Sequence, residues 1–63
     1  MSKFKAGDEV KCIDANHIDG MTTGKIYTVT KVMRDGDPYV INDDGVEDWW
    51  AARRFELVSE YLT

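Results

Sequence analysis

Two adjacent tryptophans, Trp49 and Trp50, follow directly on a stretch of chain that is rich in acidic residues. This acidic strip, residues 35–48, contains six Asp or Glu and no Lys or Arg, whereas the other residues contain eight basic and six acidic side chains. Exposed aromatic side chains often anchor protein interfaces, and concentrated negative charge attracts basic surfaces. The pattern therefore predicts a protein-binding site without catalysis. The predicted site residues are Tyr39, Asp43, Asp44, Glu47, Asp48, Trp49 and Trp50.

Cys12 and His17 are the single thiol and the single imidazole of the chain, and together they suggest a Cys–His pair for nucleophilic catalysis. A catalytic cysteine needs a base within hydrogen-bond reach and a third group that orients that base. Cys12 alternates with charged neighbours, as in a half-buried strand, whereas His17 lies in a polar loop. We therefore expect a buried structural thiol, no enzyme activity and no cofactor.

The acidic strip also suggests a calcium-binding loop. In an EF-hand register with Gly45 as the loop glycine, the first and last ligand positions fall on Val40 and Ala51, whose side chains carry no oxygen. Zinc needs three or four protein ligands, and Cys12 and His17 supply only two. We expect no metal site. Turn formation and solubility of the hairpin edges are the simplest explanation of the acids.

Nucleic-acid binding is an alternative function that depends on the lysines. Lys11, Lys25 and Lys31 would share one face of a small barrel, where an exposed Trp or Tyr could stack on a base. Phosphate contacts dominate such affinity, so the acidic strip would repel the nucleic-acid backbone. Nucleic acid is therefore the less favoured partner.

Short strands rich in β-branched and aromatic residues are predicted to position these side chains. The first four predicted strands cover residues 9–13, 25–33, 39–42 and 46–50. A long polar loop over residues 14–24, with a tight turn at Asp19-Gly20, separates the first two strands, and Asp44-Gly45 is a strong hairpin signal between the last two. Because Tyr27 and Val29 alternate to one face and Val32 to the other, we predict a β-bulge or a strong coiling of the strand near Thr30.

The sequence after Trp50 is compatible with two structures. Ala51, Phe55, Val58 and Leu62 recur at helical spacing, and this periodicity alone favours an amphipathic helix. The alternative is a short helical turn over residues 51–53 that leads into a fifth strand over residues 55–58.

The order of four segments is distinctive: Gly-Lys-Ile-Tyr-Thr-Val-Thr-Lys-Val at 24–32, Tyr-Val-Ile-Asn-Asp-Asp-Gly at 39–45, Trp49, and Arg-Phe-Glu-Leu-Val at 54–58. In this order the chain resembles a group of small bacteriophage-encoded proteins with an SH3-like β-barrel, over roughly residues 7–58. The resemblance implies a single all-β domain over residues 1–63, a five-stranded SH3-like barrel closed by a strand at 55–58, and a tail over 59–63. It thus favours the strand over the helix.

The same resemblance implies a setting. We expect a phage protein in the host cytoplasm that binds and modulates a host protein, as a monomer or weak homodimer; a structural or virion-associated role is a further alternative. The chain has neither an apolar secretory segment nor a stretch long enough to span a membrane, so we expect no membrane contact.

The Trp pair is also similar to the pair that begins a strand in eukaryotic SH3 domains. That likeness implies an aromatic shelf that receives proline-rich basic peptides. Tyr27, Tyr39 or one tryptophan would form the shelf, and Asp14 with Asp19 would form its acidic loop. Since adjacent strand residues point to opposite faces, we expect one tryptophan inside and the other outside.

Overall fold

The computed structural model describes residues 3–16 and 18–58, which form five short strands and one 3₁₀ turn. The elements are β1 Glu9–Cys12, β2 Ile26–Val32, β3 Pro38–Ile41, β4 Glu47–Trp49, the 3₁₀ turn Ala52–Arg54 and β5 Phe55–Leu57. The predicted all-β class is confirmed, and each strand begins and ends within about one residue of its predicted bounds. The 3₁₀ turn is the helical element of these residues, and it is far too short to cross a lipid bilayer.

The strands form one antiparallel sheet in the order β4-β3-β2-β1-β5. β4 and β5 lie at its two edges, and in the described part of the chain no backbone pairing joins these edges. The sheet is therefore open in its hydrogen bonding, with β3 and β4 forming one end and β1 and β5 the other.

The core lies on one face of this sheet because apolar side chains alternate with polar ones along the strands. Its buried members are Phe4, Val10, Cys12, Met21, Tyr27, Val29, Val40 and Phe55. Phe4 and Met21 precede and follow β1 in the chain and complete the core from outside the strands. Trp50 and Leu57 are half-buried and pack against this cluster.

The predicted bulge near Thr30 is confirmed. Val29 pairs with Val40, but the next registered pair is Lys31 with Tyr39, so the register shifts across Thr30. The extra residue lets β2 change its inward-facing set: Val29 is buried before the bulge, and Val32 packs against the core after it.

The helix interpretation of the C-terminal stretch is wrong for the residues that the structure describes. Phe55 pairs with Cys12 and Leu57 with Val10, so this segment extends the sheet beside β1. Phe55 becomes one of the most completely buried side chains, and the edge of β1 gains backbone partners that a helix could not supply. The 3₁₀ turn begins one residue later than predicted. The predicted tail over residues 59–63, and Leu62 with it, lies outside the described residues.

Candidate functional site

The candidate site is built on the outward side of the β3–β4 hairpin. Tyr39 pairs across the strands with Trp49, and Ile41 pairs with Glu47. Val40, between the two β3 residues, is fully buried in the core. Since successive strand residues point to opposite faces, these two cross-strand pairs lie together on the side away from the core.

Lys31 of β2 joins this side of the sheet through its pairing with Tyr39. Its ammonium lies 4.5 Å from the centroid of the Tyr39 ring, within the range of a cation–π interaction. We call this surface the outer face; it consists of Lys31, Tyr39, Ile41, Glu47 and Trp49. From the centre of the sheet to its edge, the charge on this face changes from basic at Lys31 to acidic at Glu47.

Large apolar groups on the outer face are open to solvent. Trp49 keeps 46% of its surface exposed and Ile41 keeps 40%. They occupy diagonal positions of the two-strand ladder, within reach of each other for long side chains. A rigid strand pair thus presents an indole and a branched aliphatic side chain to solvent.

The backbone of β4 is oriented by the ladder. The Asn42 N–H donates to Val46 O at 2.9 Å, and the Trp50 N–H donates to Pro38 O at 3.3 Å. Hydrogen-bonded and non-hydrogen-bonded pairs alternate along an antiparallel ladder, so the pairs made by Glu47 and Trp49 are of the second kind. The backbone polar groups of Glu47 and Trp49 therefore point away from β3, toward the open edge.

Asp48 occupies this edge without belonging to the outer face. It pairs with the buried Val40, so its side chain starts from the core side of the sheet. Its Oδ1 accepts a hydrogen bond from the Trp49 N–H at 2.9 Å. One of the donors at the open edge is thereby occupied by the chain itself.

Glu47 is held in place by the bulge. Its Oε2 accepts a hydrogen bond from the Thr30 hydroxyl, and the same hydroxyl lies 3.3 Å from Tyr39 O. Thr30 is the unpaired residue of the bulge, so the irregularity in β2 supplies the group that orients an acidic side chain two strands away.

Asp43, at the tip of the hairpin, is engaged by the rest of the protein. Its Oδ1 accepts hydrogen bonds from the Lys25 ammonium at 2.7 Å and the Tyr27 hydroxyl at 2.8 Å. Its Oδ2 accepts one from the Thr22 hydroxyl at 2.8 Å, and its N–H donates to Gly20 O at 2.8 Å. Asp43 therefore ties the hairpin tip to the long loop between β1 and β2.

These donors lower the pKa of Asp43 to about 2, with Lys25 as the largest cause and the Thr22 and Tyr27 hydroxyls next. The same contact raises the pKa of the Lys25 ammonium. Burial, followed by the bond to Asp43, raises the pKa of the Tyr27 hydroxyl. The ionised form of Asp43 is thus the form that this network favours.

The predicted hairpin turn at Asp44-Gly45 is present, within a loop of three residues between Asn42 and Val46. The Asn42 side chain accepts hydrogen bonds from the backbone N–H groups of Asp44 and Val46, and Gly45 has a φ of +79°. A positive φ at this position favours glycine. Asp44 is consequently an exposed turn residue at the tip, away from the outer face.

One tryptophan points inward and one outward, as predicted. Trp50 is half-buried against the core, and its indole Nε1 is buried without a hydrogen-bond partner in the described residues. It lies apart from the outer face. Tyr27 is only 4% exposed, so the prediction that it could form part of a surface shelf is wrong. Asp14 of the predicted acidic loop lies 3.7 Å from the Arg54 guanidinium.

The three lysines of the nucleic-acid alternative, Lys11, Lys25 and Lys31, have different neighbours in the structure. Lys25 is bound to Asp43, and Lys31 lies over Tyr39. Lys11 is on the other half of the sheet, where it is in register with Ile26 and Glu56. The structure thus gives these three lysines different neighbours, and a shared lysine face stays a prediction.

The Cys12 thiol is buried, and burial raises its pKa, which favours the unreactive thiol form. This agrees with the expected structural role. His17 lies outside the described residues. Within residues 3–16 and 18–58, no three His, Cys, Asp or Glu side chains are placed to hold a metal ion.

Sequence reasoning missed one member of the outer face, Ile41, and named Lys31 only for the nucleic-acid alternative. Ile41 is two residues after Tyr39, so strand alternation alone places both on one face. Lys31 is different, because its place beside Tyr39 depends on the register shift at Thr30.

No family model, curated protein or solved structure matches the chain. A function for this protein must therefore follow from its own residues and their arrangement.

Proposed function

We propose that this chain is a non-enzymatic protein-binding module that docks through the outer face, with Trp49 as its anchor. The observation that supports the proposal most is the exposure of Trp49 beside Ile41 on a paired strand, with 46% and 40% of their surfaces open. Exposed apolar patches on small proteins often mark interaction sites, and tryptophan is enriched among the residues that dominate binding energy.

The outer face is also preorganised. Lys31 lies on the Tyr39 ring, and Thr30 holds the Glu47 carboxylate. Side chains that are already ordered lose less conformational entropy on binding than mobile ones. The face thus combines an apolar anchor with charged groups at fixed positions, which suits recognition of a specific surface.

The finer fold and the biological setting form part of the same proposal. The strand order and the 3₁₀ turn before β5 are compatible with an SH3-like barrel. The resemblance to small phage proteins with that fold implies that the module acts in the host cytoplasm, where it binds and modulates a host protein. A virion-associated role would instead place the protein in purified particles, which a particle proteome can test directly.

Affinity purification from host lysate tests the docking face. Trp49→Ala removes the anchor. Ile26→Ala is the matched control, because Ile26 is an exposed hydrophobic residue whose accessibility, 43%, is similar to that of Trp49. Ile26 lies at the start of β2, whereas Lys31 of the outer face lies near the end of that strand. We expect a partner that wild type and Ile26→Ala retain and Trp49→Ala loses, while far-UV circular dichroism shows all three folded. A partner retained equally by all three proteins would refute the proposal that the outer face is the docking surface.

Nucleic-acid binding remains the alternative because Lys31, Tyr39 and Trp49 share the outer face. A salt series with labelled single- and double-stranded DNA separates the two functions. Binding that weakens steeply with salt and requires Lys31 would favour nucleic acid as the partner.

A further inference from the structure

The two charged side chains of the outer face lie at its opposite corners, Lys31 on β2 and Glu47 on β4. Lys31 lies over the Tyr39 ring, and Glu47 accepts a hydrogen bond from the neutral Thr30 hydroxyl. Within the residues that the structure describes, neither takes part in an ion pair. An ammonium has three donors and a carboxylate has several acceptor sites, so each group keeps capacity for a further partner.

This layout makes the outer face complementary to itself. In a twofold dimer the same surface of each subunit meets, so a contact from one residue to another is repeated in the reverse direction. When Lys31 of one copy lies against Glu47 of the other, the second contact of the same kind follows by symmetry. A single arrangement therefore gives both charges of the face an opposite charge across the interface.

Trp49 lies close to the axis of such a pair. Its Cα atom is roughly 7 Å from that of Glu47 along β4 and roughly 10 Å from that of Lys31 across two strands, as strand geometry dictates. Because the axis exchanges Lys31 with Glu47, residues at similar distances from both lie near it. Trp49 therefore meets its own copy, and aromatic pairs are stabilised by offset stacking as well as by burial.

A face-to-face pair is favoured over strand addition at the β4 edge. An added strand would need the edge donors of β4, and the Trp49 N–H already donates to Asp48 Oδ1 at 2.9 Å. Contact between two outer faces displaces no backbone hydrogen bond. It also covers Trp49 and Ile41, which otherwise keep 46% and 40% of their surfaces exposed.

The size of the outer face sets the strength of the pair. A standard interface buries about 800 Å² on each partner, roughly a fifth of the 4219 Å² surface of this chain. The five side chains of the outer face provide a smaller area, in the range of transient complexes. The pair should therefore form and dissociate with changes in protein concentration.

We infer that two copies of the chain pair through the outer face about a twofold axis beside Trp49, with Lys31 of each copy against Glu47 of the other. The pairing hides the docking surface, so a partner reaches it when the chain is dilute or when the partner competes with the second copy. This regulatory consequence rests on the proposed function, whereas the pairing itself does not depend on it.

The pairing is measured on the full chain alone. The Trp49 indole N–H signal of the ¹⁵N-labelled protein is followed by NMR over a dilution series, and sedimentation equilibrium of the same samples gives the mass. We expect the signal to shift with concentration, with a submillimolar dissociation constant. The mass should rise toward twice that of the monomer and not beyond, since a twofold pair is closed.

Charge reversal separates this pairing from general electrostatics. Glu47→Lys changes the formal net charge from -4 by two units, to -2, so general repulsion between copies decreases. The variant nevertheless places Lys31 against a like charge at both contacts, and it should weaken the pairing at least about tenfold. Lys31→Glu should weaken it by a similar factor. An equimolar mixture of the two variants restores opposite charges at both contacts, so it should dimerise within about threefold of wild type.

Glu9→Lys is the matched control. Glu9 is exposed on β1, three strands from β4, and its reversal makes the same change in net charge. The control should leave the pairing unchanged or strengthen it, and circular dichroism shows that each variant is folded. Equal weakening by Glu9→Lys and Glu47→Lys would refute the inference. A mixture that pairs no better than either variant alone would also refute it.

The remaining outcomes separate the inference from the proposed function. A Trp49 signal that stays constant up to millimolar protein would overturn the pairing and leave the docking face to the lysate experiment, which uses dilute protein. A mass that grows beyond the dimer would overturn the closed twofold pair. A lysate partner that Trp49→Ala retains, together with the expected charge-reversal results, would refute the proposed function and leave the pairing in place.

Discussion

The tip and the outward side of the β3–β4 hairpin carry acidic residues four positions apart that serve different purposes. Asp43, at the tip, accepts hydrogen bonds from Lys25, Thr22 and Tyr27, so its charge is used within the protein. Glu47, on the strand, accepts a hydrogen bond from the neutral Thr30 hydroxyl and lies two residues before the exposed Trp49. The comparison shows that one run of acids can both fasten a loop and leave charge available for a partner.

The two tryptophans extend the comparison and give the largest expected effect. Trp50→Ala should lower the free energy of unfolding by about 3 kcal/mol, the low end for removal of a packed aromatic side chain, because Trp50 packs against the core. Trp49→Ala should change it by less than about 1 kcal/mol, since Trp49 is largely exposed. Urea denaturation followed by circular dichroism measures both. Equal losses would mean that Trp49 is part of the core.

Removal of the Asp43 carboxylate should weaken the attachment of the hairpin tip without changing the outer face. Asp43→Ala eliminates three hydrogen bonds that join the hairpin to Thr22, Lys25 and Tyr27, and it should lower the thermal midpoint while leaving partner binding at Trp49 intact. Asp44→Ala is the control, because Asp44 is an exposed turn residue. Thermal melts of the two variants at neutral pH provide the measurement, and equal midpoints would argue against the network.

The pH dependence of stability provides a second test of the Asp43 network. The pKa of Asp43 is lowered from 3.8 to about 2 in the folded protein. A lowered folded-state pKa contributes stability that is present above the unfolded value and is lost as the pH falls toward 2. Between pH 4 and 2, Asp43→Asn should therefore show a shallower loss of stability than wild type. Parallel pH profiles would contradict the assignment.

Loss of one hydroxyl and its two hydrogen bonds at the tip has a smaller effect. Tyr27→Phe should cost about 1 kcal/mol, because the Tyr27 hydroxyl both accepts from the Thr22 N–H and donates to Asp43. Tyr39→Phe on the outer face is the matched control and should change stability by less than about 0.5 kcal/mol. Chemical denaturation of the pair would show the contrast, and a larger loss for Tyr39→Phe would reverse it.

The smallest effect is expected at the edge. Asp48→Ala frees the Trp49 N–H and removes a negative charge from β4, so it should promote weak self-association with little change in stability. Sedimentation velocity over a concentration series checks this, with Asp44→Ala as the equal-charge control. Association of the control alone would point to the hairpin tip instead.

The strands were accessible to sequence reasoning, whereas the C-terminal segment was not decided by periodicity. β2 is almost continuously β-branched or aromatic, and its bulge followed from the change of inward-facing residues at Thr30. Apolar residues after Trp50 fit a helical spacing equally well. Pairing with β1, which lies more than forty residues earlier, decided in favour of the strand.

In the candidate site, too, features set by neighbouring residues could be predicted, whereas features set by contacts distant in the sequence could not. Alternation predicted one outward tryptophan, but the register of β4 against β3 determined that it is Trp49. The engagement of Asp43 was hidden because Tyr27 and Thr22 lie 16 and 21 residues away along the chain. Charge counting along a sequence treats Asp43 and Glu47 alike; only the folded neighbours distinguish them.

The labelling rate of the buried Cys12 thiol can serve as an internal probe of how often the fold opens. Cys12 is 1% exposed and pairs with Phe55 of β5, so a thiol reagent reaches it only when the structure around it opens. A partner that binds only the folded chain lowers the population of such open states in proportion to its occupancy. The rate of Cys12 labelling should therefore report engagement of the distant hairpin, with no probe attached to the surface where the partner sits.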